Sequence, residues 1–360
     1  MRFIHTADWQ LGLKLNFIPG EAGARARSCR YETVRRIAEL AHERQADAVV
    51  VAGDVLDDNA VGPDTLQQAS DAMATFAPIP LLLLPGNHDA ATADSALERL
   101  GTGEHVTVMA DAAPITVGDT TFHPCPVKRR LQSGNLTAQL PERADADGFR
   151  VAVAHGGAIQ FERDTELPAA VDVSQVLQKG FDFLALGDWH GTLPLNARAW
   201  YSGTPEPTRF KEQNPGNVLV VDLPEPGAEP VVETVPVART RWIQREQQFH
   251  QDEDFTAFRD WLETLPERAW TLLALSLSGT LSLSARAELD ACLENLAGRL
   301  LHLRIERNEV LDAPTEDDLA TLHTDGFVGA AAERLRQSDS ESTEDALRLL
   351  FRFLKEEAPE

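Results

Sequence analysis

Cysteine and long hydrophobic runs are scarce in this chain of 360 residues. Its three cysteines, Cys29, Cys125 and Cys292, lie far apart and are odd in number, which argues against a disulfide framework or a cysteine-rich zinc site. No apolar run approaches the roughly 18 residues that span a bilayer, and the first residues follow a strand pattern instead of that of a signal peptide. We therefore expect a soluble cytoplasmic protein with no membrane partner.

Positive charge is scarce as well. Asp and Glu number 57 against 33 Lys and Arg, which gives a formal net charge of −24, and only five of the basic residues are lysines. This balance argues against an ordinary basic surface for nucleic acid, but it leaves open a local groove in which arginine contacts phosphate. With 43% hydrophobic and 25% charged residues, the composition is that of a globular protein long enough for two or three domains.

Short apolar runs alternate with helical patterns over the first two thirds of the chain. Helical periodicity is present at residues 31–44, 64–76 and 93–100. The predicted strands are residues 3–7, 48–52, 80–84, 115–117, 151–154, 183–186 and 218–221. Because strands alternate with helices and end in polar clusters, we predict an α/β sandwich with its site at the carboxyl ends of the strands.

A proline-rich linker at residues 224–230 precedes the domain boundary, which we place near residue 240. Residues 231–237 either extend this linker or return to pair with the first domain. Residues 241–312 then follow a β-α-β-α-β pattern, which predicts a small α+β domain. Beyond it, helices are predicted at 315–337, with a break at 325–326, and at 342–357.

The last predicted helix is amphipathic. It begins with a sequence that resembles a capping box at residues 342–345. Its apolar stripe consists of Leu347, Leu350, Phe351 and Leu354. Two interpretations stay open: the stripe packs on its own domain, or it docks on a partner.

Five polar clusters follow predicted strands. They are Asp8-Trp9-Gln10, Gly53-Asp54, Gly86-Asn87-His88-Asp89, Ala154-His155-Gly156 and Gly187-Asp188-Trp189-His190. Carboxylate, amide and imidazole groups suit Mn²⁺, Fe²⁺ or Zn²⁺, and adjacent glycines let the backbone approach an ion. A single cluster is weak evidence, since an Asp after a strand also caps helices and a lone His commonly packs. Five clusters in one order predict a metal site.

This order of clusters resembles the calcineurin-like metallophosphoesterases, whose pattern is D-x-H, G-D, G-N-H-D/E, a strand-end H and G-H-x-H. The resemblance covers about residues 1–220, and residues 86–89 are its most specific part. Within that superfamily, residues 3–12 and 201–205 look like the SbcD-type DNA-repair nucleases. The resemblance implies a four-layer β-sandwich flanked by helices at 1–240, a capping domain at 241–312, and a C-terminal helical segment at 313–360 that docks on an ATPase.

Carried over position by position, the resemblance also implies two divalent metal ions. One would be bound by Asp8, Gln10, Asp54 and His190, and the other by Asp54, Asn87, His155 and Asp188. Two positions depart from the family pattern, since Gln10 and Asp188 each stand where a histidine is usual. The site thereby gains an anionic oxygen and loses two nitrogens, so we expect a preference for harder ions such as Mn²⁺. The alternative is a first metal that is weakly held or absent.

His88 follows the implied ligand Asn87. By the resemblance it acts as a general acid, or stabilises charge on the leaving oxygen, with Asp89 fixing its tautomer. The alternative is a histidine with a purely structural role. The seven histidines outside the five clusters, His5 among them, lack this context and are assigned to packing or to the surface.

Aromatic and basic residues near the clusters each allow two interpretations. Trp9 and Trp189 either stack on a base or pack beneath the metals. The basic candidates either contact phosphate or face solvent. They are Arg25, Arg27 and Arg30, which the sequence places in a loop, and residues 128–130 and 208–211.

The leading hypothesis is a metal-dependent DNA nuclease that resembles SbcD and uses two ions, most simply Mn²⁺. By the same resemblance it works as a homodimer, to which residues 31–44 and 64–76 are candidate contributors, together with an SbcC-like coiled-coil ATPase. One alternative is a phosphodiesterase for small nucleotides. Another is a degenerate phosphoesterase that serves as a regulatory scaffold, which Gln10 and Asp188 suggest.

Overall fold

The computed structural model describes residues 1–144, 148–159, 169–312 and 327–337, together with residue 346. The chain divides into two compact units, Met1–Thr240 and Arg241–Glu360. The predicted helix at 342–357, with its apolar stripe, lies outside the described residues apart from residue 346. So does the predicted helical stretch at 315–326.

In its described residues, the first unit contains two six-stranded sheets and three α-helices. The helices are α1 (Gly20–Glu43), α2 (Pro63–Met73) and α3 (Val173–Gln178). The strands are β1 (Arg2–Thr6), β2 (Ala48–Ala52), β3 (Leu81–Leu84), β4 (Val106–Val108), β5 (Ile115–Val117), β6 (Thr120–Cys125), β7 (Phe149–His155), β8 (Phe183–Gly187), β9 (Leu193–Asn196), β10 (Ala199–Tyr201), β11 (Asn217–Asp222) and β12 (Val231–Pro236).

Both sheets have a parallel centre. The first runs in the order β12-β11-β1-β2-β3-β4, and β1 to β4 are parallel to one another. The second runs β5-β6-β7-β8-β10-β9, with β6, β7, β8 and β10 parallel. Antiparallel strands occupy the remaining positions. Parallel centres align the carboxyl ends of successive strands along one edge of each sheet.

Three apolar layers hold the first unit together. Phe3, Val50 and Phe183 belong to the cluster that fills the space between the two sheets. Their chain neighbours face outward, so that Ile4 packs with helices α1 and α2 and Leu184 packs with α3. Strands buried on both faces must be apolar throughout, which explains the unbroken hydrophobic runs of the sequence. The predicted four-layer α/β sandwich is confirmed.

Helix α1 is longer than predicted. Its first eleven residues were expected to form a loop, because glycine and alanine give them no apolar stripe. Instead, the small residues Gly23 and Ala26 are buried on the helix, which begins at Gly20. The prediction of a loop carrying Arg25, Arg27 and Arg30 was therefore wrong.

The other differences are local. Residues 93–100 contain only a three-residue 3-10 turn, Leu97–Arg99, instead of the predicted helix. The short strands β4, β6, β9 and β10 were not predicted. Of the two alternatives for residues 231–237, the second is correct: the segment returns to pair with the first domain, because β12 pairs along its whole length with β11.

The second unit contains a three-stranded parallel sheet in the order β13-β14-β15, formed by Arg241–Phe249, Thr271–Leu281 and His302–Asp312. Helices α4 (Asp252–Glu263) and α5 (Leu283–Ala297) share an apolar cluster with this sheet, and α6 spans Phe327–Arg336. Within the described part of the chain, no helix is both long enough and apolar enough to cross a bilayer.

The buried histidine of β1 gives the fold a pH dependence. Burial lowers the pKa of His5 to about 3, and its Nε2 donates a hydrogen bond to the Leu186 carbonyl at 3.1 Å. The folded chain thus keeps His5 neutral at pH values where the unfolded chain, with an ordinary pKa of about 6.5, protonates it. Stability from this residue is fully present above pH 6.5 and falls as the pH drops towards 3.

We predict that His5→Gln removes this dependence while keeping a donor for Leu186. In urea denaturation with a chelator present, wild type should lose stability relative to the variant by about 1.4 kcal/mol for each pH unit below 6.5. A difference between the two proteins that stays constant from pH 7 to pH 5 would contradict the assignment.

Candidate metal centre

All seven predicted ligands meet where the two sheets present their parallel carboxyl ends. Asp8, Asp54 and Asn87 follow β1, β2 and β3 of the first sheet, His155 ends β7, and Asp188 and His190 follow β8 of the second. Gln10 completes the set two residues after Asp8. The tightest group is Asp8, Asp54 and His155, which are buried and offer ligand atoms within 4.8 Å of one another.

His155 lies at the centre of one half of the site. Its Nδ1 is 2.8 Å from the Ala52 carbonyl, which can only accept, so Nδ1 carries a hydrogen. Its Nε2 faces three oxygens, at 2.9 Å from Asn87, 3.4 Å from Asp54 and 3.8 Å from Asp188. Oxygens converging on a nitrogen lone pair repel it unless positive charge lies among them, either a second ring proton or a cation.

The pKa values record the same demand for positive charge. Burial acts to lower the pKa of His155, but Asp54, Asp8 and Asp188 raise it well above its ordinary value. Burial raises the pKa of Asp8 to about 6. It acts in the same direction on Asp54, yet the His155 and His88 imidazoles hold the pKa of that carboxyl below its usual value. The cluster is thus a set of buried anions that a divalent cation would neutralise.

The other half of the site is organised around His190. Its Nδ1 lies 2.6 Å from Glu212 Oε1 and 3.1 Å from Thr208 Oγ1, and its Nε2 lies 3.8 Å from Asp8 Oδ1. Burial acts to lower the pKa of His190, but Glu212 and Asp8 raise it. Carboxylate pairing of this kind directs the opposite nitrogen of a ligand histidine towards the metal.

Glu212 was missed by sequence reasoning because it follows no strand and no cluster. It lies just after the 208–211 segment, whose basic residues attracted attention instead. Burial acts to raise the pKa of Glu212, but hydrogen bonds from His190 and Thr208 lower it, so it stays anionic. A carboxylate four residues after a threonine was the only sequence signal.

Gln10 does not present a ligand oxygen as placed. Its amide nitrogen is 3.3 Å from His190 Nε2. When the His190 ring is neutral, with its Nδ1 proton towards Glu212, that Nε2 is an acceptor and the amide donates to it. For Gln10 to bind a metal, the amide must turn over so that its oxygen faces the ion, and His190 must release the hydrogen bond.

Several of the candidate ligands have strained backbone conformations. Asp8, Gln10, Asp54 and Asp188 have positive φ angles of 55°, 44°, 51° and 94°. Such conformations cost of order 1–3 kcal/mol each and persist only where the surroundings enforce them. Close packing is one such constraint: a Cβ on Gly86 would lie 2.1 Å from Asp54 Oδ1, so no other residue fits there.

His88 reaches the site, but Asp89 does not hold it. His88 Nδ1 donates to the carbonyl of Asp57 at 2.7 Å, and its Nε2 lies 3.9 Å from Asp54 Oδ2. Asp89 is fully buried and accepts from the backbone amides of Leu56 and Gly86 at 2.9 and 2.7 Å. Side chains adjacent in sequence diverge at this turn, so the prediction that Asp89 fixes the His88 tautomer was wrong.

Asp89 instead connects the loops that follow β2 and β3. One amide partner, Leu56, lies two residues after Asp54, and the other, Gly86, directly precedes Asn87. Burial, with a smaller contribution from Asp54, raises the pKa of Asp89 to about 7. In the structure, Asp89 therefore holds together the two loops that carry Asp54 and Asn87.

The structure decides between the two interpretations for Trp9 and for Arg30. Trp9 is buried and stacks on Phe76, so packing is the correct alternative for it, whereas Trp189 is 49% exposed. Arg30 is only 2% exposed and donates to the carbonyls of Trp9, Glu206 and Pro207. It braces the loop that carries Gln10 and is unavailable to DNA.

The profile of the calcineurin-like phosphoesterases matches residues 1–221 of the sequence. The chain belongs to that family. The match covers the whole of the two-sheet sandwich up to β11, and therefore every residue of the candidate site. Members of the family use divalent metals, and the buried Asp8, Asp54 and His155 group provides donors of the appropriate kind.

One curated relative is the SbcD subunit of the nuclease SbcCD from Staphylococcus saprophyticus. The two sequences are 26% identical over 259 residues, which make up 62% of this chain and 66% of the relative. The chain thus spans slightly less than two thirds of the length of that relative.

The contact between Glu212 and His190 generates a prediction about metal binding. Glu212→Gln removes the carboxylate that sets the ring of His190, and we expect about 10- to 100-fold weaker Mn²⁺ binding at the His190 half of the site. Isothermal titration calorimetry measures this directly. Glu233→Gln, which removes a surface pair with Arg44, is the matched control and should bind as wild type does; an unchanged isotherm for Glu212→Gln would contradict the assignment.

Proposed function

We propose that this chain is a metal-dependent DNA nuclease, the counterpart of SbcD in an SbcCD-like complex. The observation that carries the proposal is the convergence of oxygens and imidazole nitrogens from five strand ends on the His155 and His190 halves of one site. Similarity to the SbcD subunit of a nuclease supports DNA as the substrate.

The donor set suits two divalent cations. We assign Asp8, Gln10 and His190 to one ion, Asn87, His155 and Asp188 to the other, and Asp54 to both. Five of these seven donors are oxygens, which favours Mn²⁺ over softer ions. When bound, the cations would supply charge neutralisation for the phosphate and acidify the attacking water.

The side chains of the protein prepare the site for that chemistry. Because His88 Nδ1 is committed to the Asp57 carbonyl, Nε2 is the atom that faces the site and exchanges a proton. As an imidazolium it would donate that proton to the leaving oxygen of the phosphodiester. His155 and His190 keep their orientation through Ala52 and Glu212, respectively.

Partners are part of the same proposal. An SbcC-like coiled-coil ATPase would bind the C-terminal segment 313–360, the unit from residue 241 would act as a capping domain, and the nuclease would form a homodimer in the cytoplasm. The net charge of −24 supports the need for such help, since the whole molecule repels DNA at long range.

The decisive experiment incubates the purified protein with Mn²⁺ and linear single- or double-stranded DNA. We expect wild type to cleave DNA, and His88→Ala to lose at least about 100-fold in rate because the leaving oxygen no longer receives a proton. His250→Ala, at an exposed position of the second unit, is the matched control and should cleave as wild type does.

Other results would favour other functions. Turnover of a cyclic nucleotide with DNA untouched would indicate a small-nucleotide phosphodiesterase. If no phosphodiester is hydrolysed and fewer than two metals bind per chain, a regulatory scaffold is the better account. The amide of Gln10, which caps His190 Nε2, is the observation that favours this second candidate.

A further inference from the structure

A cleft of about 790 Å³ adjoins the candidate metal centre. We call it the Phe17 cleft; its walls are residues 12–17, residues 57–62 except Asn59, and the side chains of Thr65 and Thr208. Its volume lies within the range of about 300–1,000 Å³ that is usual for small-ligand sites. Neither the metal ligands nor His88 line it, so the site chemistry described above does not explain it.

Two wall residues connect the cleft to the reacting groups. The carbonyl of Asp57 holds His88 Nδ1 at 2.7 Å, and Thr208 Oγ1 lies 3.1 Å from His190 Nδ1. One wall residue of the cleft therefore contacts His88, and another contacts His190. A group bound in the cleft would be a neighbour of the scissile phosphate.

The loop at 12–17 is held rigidly while it displays an aromatic ring. Leu15 is buried with a positive φ of 47°, and Ile18 is buried and donates its amide to the Leu15 carbonyl. The Lys14 carbonyl accepts from Arg27. Between these anchors, Phe17 remains 40% exposed. An exposed aromatic ring on an anchored loop offers a flat surface on which a planar ligand can stack.

A second aromatic ring extends this surface. Phe210 lies with its ring centroid 6.5 Å from that of Phe17, and the rings are inclined at 54°. Exposed Arg209 and Lys211 flank it in the sequence. Aromatic rings interleaved with basic side chains are the usual means of binding unpaired nucleic acid, where bases stack on rings and phosphates contact cations.

The charges of the cleft select the part of a nucleotide that enters. Two carboxylates, Asp57 and Asp58, outnumber the single cation Lys14 in its wall, and carboxylates repel phosphate. Arg130, from the basic loop 128–130, lies 3.6 Å from Asp58. An uncharged heterocycle with amino groups is a better occupant, because carboxylates and Asn16 accept hydrogen bonds from it.

We propose that the Phe17 cleft binds an unpaired nucleobase next to the scissile phosphate, with Phe17 and Phe210 as the stacking surface. This inference rests on the proposed nuclease function and assigns one cleft to the base next to the scissile phosphate. A base in a duplex is already paired and stacked, so the cleft accepts a base that is unpaired.

The test compares a deoxycytidine 12-mer, whose bases carry an amino group, with a 12-mer of the same backbone that lacks all bases. We expect wild type to hydrolyse the base-bearing strand with a kcat/KM about 5- to 150-fold higher, the factor that corresponds to stacking one base on an aromatic side chain. Phe17→Ala and Phe17→Leu should bring this ratio close to one, and Phe17→Trp should keep it. The ratio is insensitive to a general loss of activity.

Two controls locate the effect. Leu131→Ala changes a residue that is 85% exposed outside the cleft and should leave the ratio as in wild type. A ratio near one in wild type overturns the proposal. So does a ratio that collapses in Trp189→Ala and survives in Phe17→Ala, because the base would then contact Trp189.

A binding measurement separates this proposal from the proposed nuclease function. Oligonucleotides containing 2-aminopurine lose fluorescence when that base stacks, and the titration is run in EDTA without hydrolysis. Quenching by wild type that Phe17→Ala abolishes supports the cleft even if no DNA is ever cleaved. Equal quenching by wild type and Phe17→Ala, or none by wild type, overturns it.

Discussion

The first unit is organised around one electrostatic demand: oxygens from four strand ends, among them those of the buried Asp8 and Asp54, need a positive charge between them. Burial makes each carboxylate costly, and the Nε2 atom of His155 faces three oxygens within 3.8 Å. In water such groups would separate. Here the backbone prevents it, and a divalent cation would satisfy all of them at once.

The scaffold around the site keeps these groups from relaxing. Four ligand residues occupy left-handed backbone conformations, and Gly86 leaves room for Asp54 that no side chain would leave. Asp89 and Arg30, both buried, bind backbone groups of the ligand loops. Both charged groups are used to hold backbone in place. This explains why Asp89 does not hold His88 and why Arg30 is unavailable to DNA, although both roles were considered from the sequence.

The sequence predicted that the seven candidate ligands lie together, because they follow apolar strands that are buried on both faces and parallel strands bring their carboxyl ends together. It did not predict the supporting contacts. The His88 tautomer is set by the Asp57 carbonyl, which has no residue-specific signal, and Glu212 reaches His190 from a loop between strands. The start of α1 was missed because its buried residues, such as Gly23, are too small to produce an apolar stripe.

The central claim is that this cluster of buried ligands holds divalent metal. Anomalous diffraction at the manganese edge, from crystals grown with MnCl₂, tests it most directly. The account predicts a peak in contact with the Asp54 carboxylate and His155 Nε2, and a second peak between Asp54 and His190 once the Gln10 amide has turned over. Full density for the side chains with no anomalous peak at Asp54 would contradict it.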